Sequence, residues 1–181
     1  FQDPMTSLNP LMTIGAQIAD MYRCHTGAGK GEAMDKAKEM LTKVGIEPAA
    51  RRCRQYPFEL SGGMQQRVMI AMAIACTPKL LIADEPTTAL DVTIQAQILE
   101  LLQKLSDDMG MSILLITHNF GVVAETCRRV SVMYAGKVVE TGETSALLRG
   151  ARHPYSRSLI NSIPGGGERG TRLETIPGFP P

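Results

Sequence analysis

Apolar positions along the chain change their spacing part-way. From about Thr13 to Thr77 they recur at helical intervals. Ile14, Ile18, Met21 and Tyr22 fall on one face of a helix that Thr13 is placed to cap. Met34, Ala37, Leu41 and Val44 line a second helix, with Gly45 as its stop. Residues 46–60 read as a loop punctuated by Pro48 and Pro57, with Arg51, Arg52 and Arg54 solvated. Ser61 opens a third helix with Met64, Val68, Met72 and Ala75 along one stripe, ending at Thr77-Pro78; its methionines read as core filler.

Beyond Pro78 the pattern becomes strand-like. Leu80-Leu81-Ile82-Ala83 is a short continuous apolar run, which predicts a strand buried on both faces. Asp91 is placed to cap a long helix with Ile94, Ile98, Leu102, Leu105 and Met109 inward and Gly110 as its stop. Ser112 to Thr117 predicts a second buried strand, Phe120 to Thr126 a short helix. Arg129–Tyr134 and Lys137–Thr141 flank Ala135-Gly136 as a hairpin. This order predicts an α/β fold with a mostly parallel sheet flanked by helices. Residues 10–77 form an inserted helical subdomain in this reading, residues 78–163 the α/β part, and residues 164–181 a Gly- and Pro-rich extension.

Composition narrows the class. Of 181 residues, 44% are hydrophobic and 20% charged, which fits a globular chain rather than a disordered one. The net charge of +1 provides no electrostatic footprint for nucleic acid. Cys24, Cys53, Cys76 and Cys127 are scattered without a C-x-x-C pair and read as reduced thiols. The longest apolar run, Val68 to Cys76, is too short for a bilayer, which needs about 20 residues. Phe1-Gln2-Asp3-Pro4 reads as sequence from inside a longer protein.

Two segments carry chemistry. Leu80 to Glu85 is an apolar strand ending in two acids, where ligands bind in open α/β sheets. Asp84 there suits Mg²⁺, and Glu85 could polarise a water for attack on a phosphate; a solvated strand end is the plainer alternative. Ser61-Gly62-Gly63 places two glycines just inside a helix start, at a cost of about 1 kcal/mol each relative to alanine. Bare amides at such a start make an anion site, although a flexible cap at Ser61 also accounts for the pattern.

Leu60-Ser61-Gly62-Gly63-Met64-Gln65-Gln66-Arg67 resembles the signature motif of ABC ATPases. Leu80 to Glu85 resembles their Walker B strand, Thr87-Thr88-Ala89-Leu90-Asp91 their D-loop, His118 their switch histidine and Gln2 their Q-loop glutamine. Residues 1–10, 83–93 and 132–140, with His153-Pro154-Tyr155, are similar to the dipeptide/oligopeptide/nickel importer branch. The chain departs from the family pattern in two places. No G-x-x-x-x-G-K-[ST] element is present, and Asn119 stands where the family usually has Asp.

The resemblance implies a P-loop NTPase-like ABC ATPase core that binds ATP and Mg²⁺ and hydrolyses ATP to drive a membrane importer of peptides or nickel. By resemblance, residues 1–9 are the Q-loop region. Glu85, His118 and Gln2 are the implied catalytic residues, and Asp84 and Gln2 the implied metal residues. Ser61, Gly62, Gly63, Gln65 and Asp91 are the implied nucleotide contacts. The implied partners are a second ATPase subunit, identical or related, permease subunits gripped by the helical subdomain, and indirectly an extracytoplasmic solute-binding protein. The implied location is the cytoplasmic face of the membrane, as a peripheral subunit. Without a phosphate cradle, these residues alone are expected to bind nucleotide weakly and to be inactive. A non-catalytic signature half of a composite site and a soluble, non-transport ABC ATPase are the competing readings.

Overall fold

The computed structural model describes residues 7–88 and 90–162. The proposed Q-loop glutamine, Gln2, and the 164–181 extension lie outside them. The chain divides into two compact units, residues 1–116 and 117–181.

The first unit opens with helices whose caps and stripes follow from the sequence. Helix α1 (Ile14–Thr26) is capped by Thr13, whose side chain accepts from the Ala16 amide. Ile14, Ile18 and Tyr22 are buried along it, as their spacing predicts. The buried Gln17 is fully used. It accepts from the Asn9 amide at 2.9 Å and donates to the Asn9 and Met12 carbonyls at 3.0 Å, which ties the entering loop to the helix. Helix α2 (Lys30–Lys43) buries Ala33, Ala37, Met40 and Leu41. The expected loop that follows contains a one-turn helix α3 (Ala49–Arg52) and a 3₁₀ turn at Pro57–Glu59, elements too short to leave a periodic signature.

Helix α4 (Gly62–Ile74) differs from the one-stripe expectation. Gln65, Gln66, Val68, Met69, Ile70, Ala71 and Ile74 are all buried, so the helix is enclosed on several sides. It is the centre of the first core, with Ile14, Ile18, Leu41 and Val44 in the same cluster. Arg67 links it to α2, donating to the Val44 carbonyl at 2.7 Å.

Strand β1 (Leu80–Asp84) leads into helix α5 (Val92–Met109) and then strand β2 (Ser112–Ile116). Helix α5 is capped by Asp91 and stopped by Gly110 in the left-handed region, and it buries Ile98, Leu102 and Leu105, all as predicted. The strands pair in parallel, Leu80 opposite Ser112 through Asp84 opposite Ile116. They are not buried on both faces. Leu81 and Ala83 face the core, whereas Leu80, Ile82, Leu114 and Ile116 are 51%, 57%, 50% and 46% exposed. A continuous apolar run implies two covered faces, and only one face here is covered by residues the structure describes.

The second unit holds helix α6 (Phe120–Thr126), the hairpin β3 (Arg129–Tyr134) and β4 (Lys137–Glu143), and helices α7 (Thr144–Gly150) and α8 (Pro154–Asn161). The last two helices were not anticipated from the sequence. β3 pairs antiparallel with β4 around Ala135-Gly136, so among the described strands only β1 and β2 are parallel. Ala135 and Gly136 both take positive φ, which suits a tight hairpin. Val132, Leu147 and Ala151 form this unit's small core, with Phe120, Tyr155 and Leu159 packed against it.

The carboxylate of Glu140 joins the hairpin to the start of α8. It accepts from the amides of Arg152 at 2.8 Å and His153 at 3.1 Å. Those donors, Arg152 foremost, hold its pKa below the ordinary carboxylate value. A depressed carboxylate contributes stability above its unfolded-state pKa and loses it as pH falls through the folded value. The clamp is therefore expected to survive mild acid and open only below the ordinary carboxylate range. Amide chemical shifts of Arg152 and His153 should stay constant into that range and then move together. In Glu140→Gln this acid step should vanish.

Candidate functional site

The sequence-predicted site residues fall at element ends. Ser61, with extended backbone at φ −66° and ψ 159°, caps α4, and its Oγ accepts the Met64 amide at 3.4 Å. A helix start leaves its leading N–H groups without partners inside the helix. Here those belong to Gly62 and Gly63, and both Ser61 and Gly62 are exposed. Gly63 is half-buried; the two amides stand at the positive end of a 13-residue helix, an arrangement that favours an anion.

Packing accounts for one of the two glycines. A Cβ placed on Gly63 would stand 2.7 Å from Cγ2 of Ile94 on α5, a separation that real Cβ atoms do not tolerate. Gly63 lets α4 and α5 approach. A Cβ on Gly62 would meet only Leu90 Cδ2, at an ordinary 3.7 Å. The signature turn is thereby seated on the Leu90–Ile94 segment, whose Asp91 caps α5 by accepting the Ile94 amide at 2.9 Å.

Gln65 points inward. Its Nε2 donates to the carbonyls of Pro57 at 2.9 Å and Leu60 at 3.3 Å, so the contacts it makes brace the loop that delivers Ser61. Sequence alone marked it as a nucleotide contact because it lies inside the motif; its burial was not legible there.

Asp84 and Glu85 lie at the C-terminal end of β1 and are both half-buried. The Glu85 amide extends the parallel ladder by donating to Ile116 O at 2.9 Å. Glu85 then takes φ +45°, a left-handed backbone that costs a non-glycine residue about 1 kcal/mol. Pro86 follows at the second position of a turn that the Thr88 amide closes onto Glu85 O at 3.2 Å. The Thr88 hydroxyl lies 2.9 Å from Glu85 Oε2. Thr88 carries no signal in the sequence beyond its place in the Thr87-to-Asp91 segment.

Among the described residues no three His, Cys, Asp or Glu side chains gather for a metal. A single strand-end carboxylate fits Mg²⁺, which keeps several waters and binds through one or two carboxylates and phosphate oxygens.

His118 is exposed in the second unit, two residues beyond the end of β2. Asn119 beside it is a helix cap. Its Oδ1 accepts from Gly121 at 3.0 Å and Val122 at 3.4 Å, and its amide donates to Thr117 Oγ1 at 3.0 Å. Asn and Asp serve equally well as caps, which accounts for the departure from the family pattern at this position.

Comparison with known proteins supplies the context. Residues 1–88 match the family model described as ABC transporter, and residues 139–181 that described as oligopeptide/dipeptide transporter, C-terminal region. A Brucella melitensis protein named for peptide import and ATP binding is 57% identical over 187 residues, spanning 100% of this chain and 55% of that protein. The dipeptide transport ATP-binding protein DppD of Escherichia coli is 54% identical over 181 residues, again 100% of this chain and 55% of the relative.

Along its whole length the chain is similar to ABC transporter ATP-binding proteins of peptide import.

It spans about 55% of the length of these curated relatives. The fold agrees with solved ABC structures. The ATP-binding cassette MJ0796, in a dimeric post-hydrolysis state with ADP and Pi, has a TM-score of 0.66 and 32% identity, over 80% of this chain and 61% of that one. The structure of cbiO1 from Clostridium perfringens has a TM-score of 0.72 and 28% identity, over 82% of this chain and 57% of that one.

If Gly63 is dictated by its neighbour, Gly63→Ala should destabilise the chain by about 1–3 kcal/mol through overpacking. Ile94→Ala in the same background should return part of that loss. A double-mutant cycle in urea is the measurement, and additive effects of the two changes would contradict the packing account.

Proposed function

We propose that this chain is the signature-bearing part of an ATP-hydrolysing subunit that energises a membrane importer of peptides. One observation carries the reading: the Ser61-Gly62-Gly63 turn opens α4 with Ser61 and Gly62 exposed, in a chain whose residues 1–88 and 139–181 match ABC transporter and oligopeptide/dipeptide transporter models. Such a turn attracts the γ-phosphate of a nucleotide seated on a second ATPase subunit.

The assigned roles follow the chemistry of each position. Ser61, Gly62 and Gly63 bind the terminal phosphate across a subunit interface. Gln65 supports that turn from within. Glu85 is the general base for the attacking water, and its place at the strand end aims the carboxylate outward from the ladder. Asp84 holds Mg²⁺ through water; the bound ion would neutralise charge on the phosphates. His118 donates to the γ-phosphate, where negative charge spreads in the transition state. Gln2 senses the metal and the attacking water, and Asp91 works across the interface while capping α5. Permease subunits are the direct membrane partners, reached through the helical region, with a solute-binding protein acting through them. The subunit sits peripherally on the cytoplasmic face; no helix among the described residues is long and apolar enough to cross a membrane.

In the full-length protein, Glu85→Gln should lower ATP turnover by about 10²–10⁴-fold. Nucleotide binding should persist, so an ATP-bound dimer should accumulate. Phosphate release and size-exclusion chromatography with Mg-ATP measure the two effects. Normal turnover in this variant would reject the assignment of the base.

A further inference from the structure

We propose that Thr88 is a positioning residue for Glu85. The inference rests on the reading of Glu85 as the general base, and it adds a residue to which that reading assigns no task. A base at a strand end has three rotatable side-chain bonds, and its carboxylate can sweep a wide volume. Here two bonds close the same four-residue turn: the Thr88 amide to Glu85 O at 3.2 Å, and the Thr88 hydroxyl to Glu85 Oε2 at 2.9 Å. Pro86 fixes the backbone between them and is itself buried.

The arrangement has a direction. The hydroxyl donates to Oε2, which fixes that oxygen and with it the plane in which the carboxylate lies. The left-handed backbone at Glu85 swings its side chain off the line of the strand, and the bond from Thr88 catches it there. Strain of this kind persists only where neighbouring contacts over-determine it, and the ladder bond to Ile116 and the turn closed by Thr88 are those contacts. Thr88 touches neither substrate nor metal in this account. It lowers the number of orientations the base must lose to reach a bound water.

The test uses the full-length protein and Mg-ATP. Thr88→Val keeps the shape and removes the donor, and Thr88→Ser keeps the donor. A hydrogen bond to a charged group carries weight enough for about a tenfold or larger loss of kcat in Thr88→Val. KM for ATP should stay unchanged, and Thr88→Ser should recover most of kcat. Wild-type kcat in Thr88→Val overturns the proposal. So does a loss in Thr88→Ser equal to that in Thr88→Val, or a parallel rise in KM, either of which marks a merely structural residue. Glu85→Gln, run alongside, separates the two levels. If it is slow while Thr88→Val is normal, only the positioning role fails. If it turns over normally, the base assignment fails and the positioning role with it.

Discussion

The contact between residue 63 and Ile94 sets the geometry around the candidate site. A hydrogen in place of a side chain there lets α4 descend onto α5, and that descent fixes where the amides at the start of α4 emerge. Everything upstream serves the same placement. Gln65 holds the carbonyls of Pro57 and Leu60, so the loop enters Ser61 in one conformation. Arg67, one turn on, grips the end of α2. The downstream side is fixed by Asp91, which starts α5 at the residue where Leu90 meets the turn.

Much of this was readable from residue types and spacing. The stripes of α1, α2 and α5, the caps at Thr13, Ser61 and Asp91, and the Ala135-Gly136 hairpin all emerged where local chemistry dictated them. Local chemistry failed where partners are distant. The burial of α4 on several sides is set by α1, α2 and α5 together, and no stripe within its own sequence encodes that. The outward face of β1 and β2 reads as core because its residues are aliphatic, whatever stands opposite. α7 and α8 are short, and they pack on a hairpin core too small to impose a long periodic pattern.

The site divides along the same line. Which residues to propose could be read from the chain, because a glycine pair at a helix start calls for a reason and acids at a strand end lie where ligands bind in open sheets. What holds them was not. Thr88 lies beside Glu85 because of a proline turn and a backbone in the left-handed region, and neither follows from reading T-T as part of a motif. Gly63 is instructive in the other direction: a residue that invites a ligand explanation has an internal packing reason that would hold with no ligand at all.

The aliphatic face formed by Leu80, Ile82, Leu114 and Ile116 has a thermodynamic corollary. Each Å² of apolar area withdrawn from water contributes about 25 cal/mol, so covering four half-exposed side chains amounts to a few kcal/mol. That is a sizeable share of the total stability of an ordinary domain. By mass action, whatever surface settles on those strands also tightens the ladder from Leu80 to Asp84, and with it the foothold from which Glu85 projects. The firmness of the acidic strand end would thus rise with any cover laid over the reverse side of the same two strands.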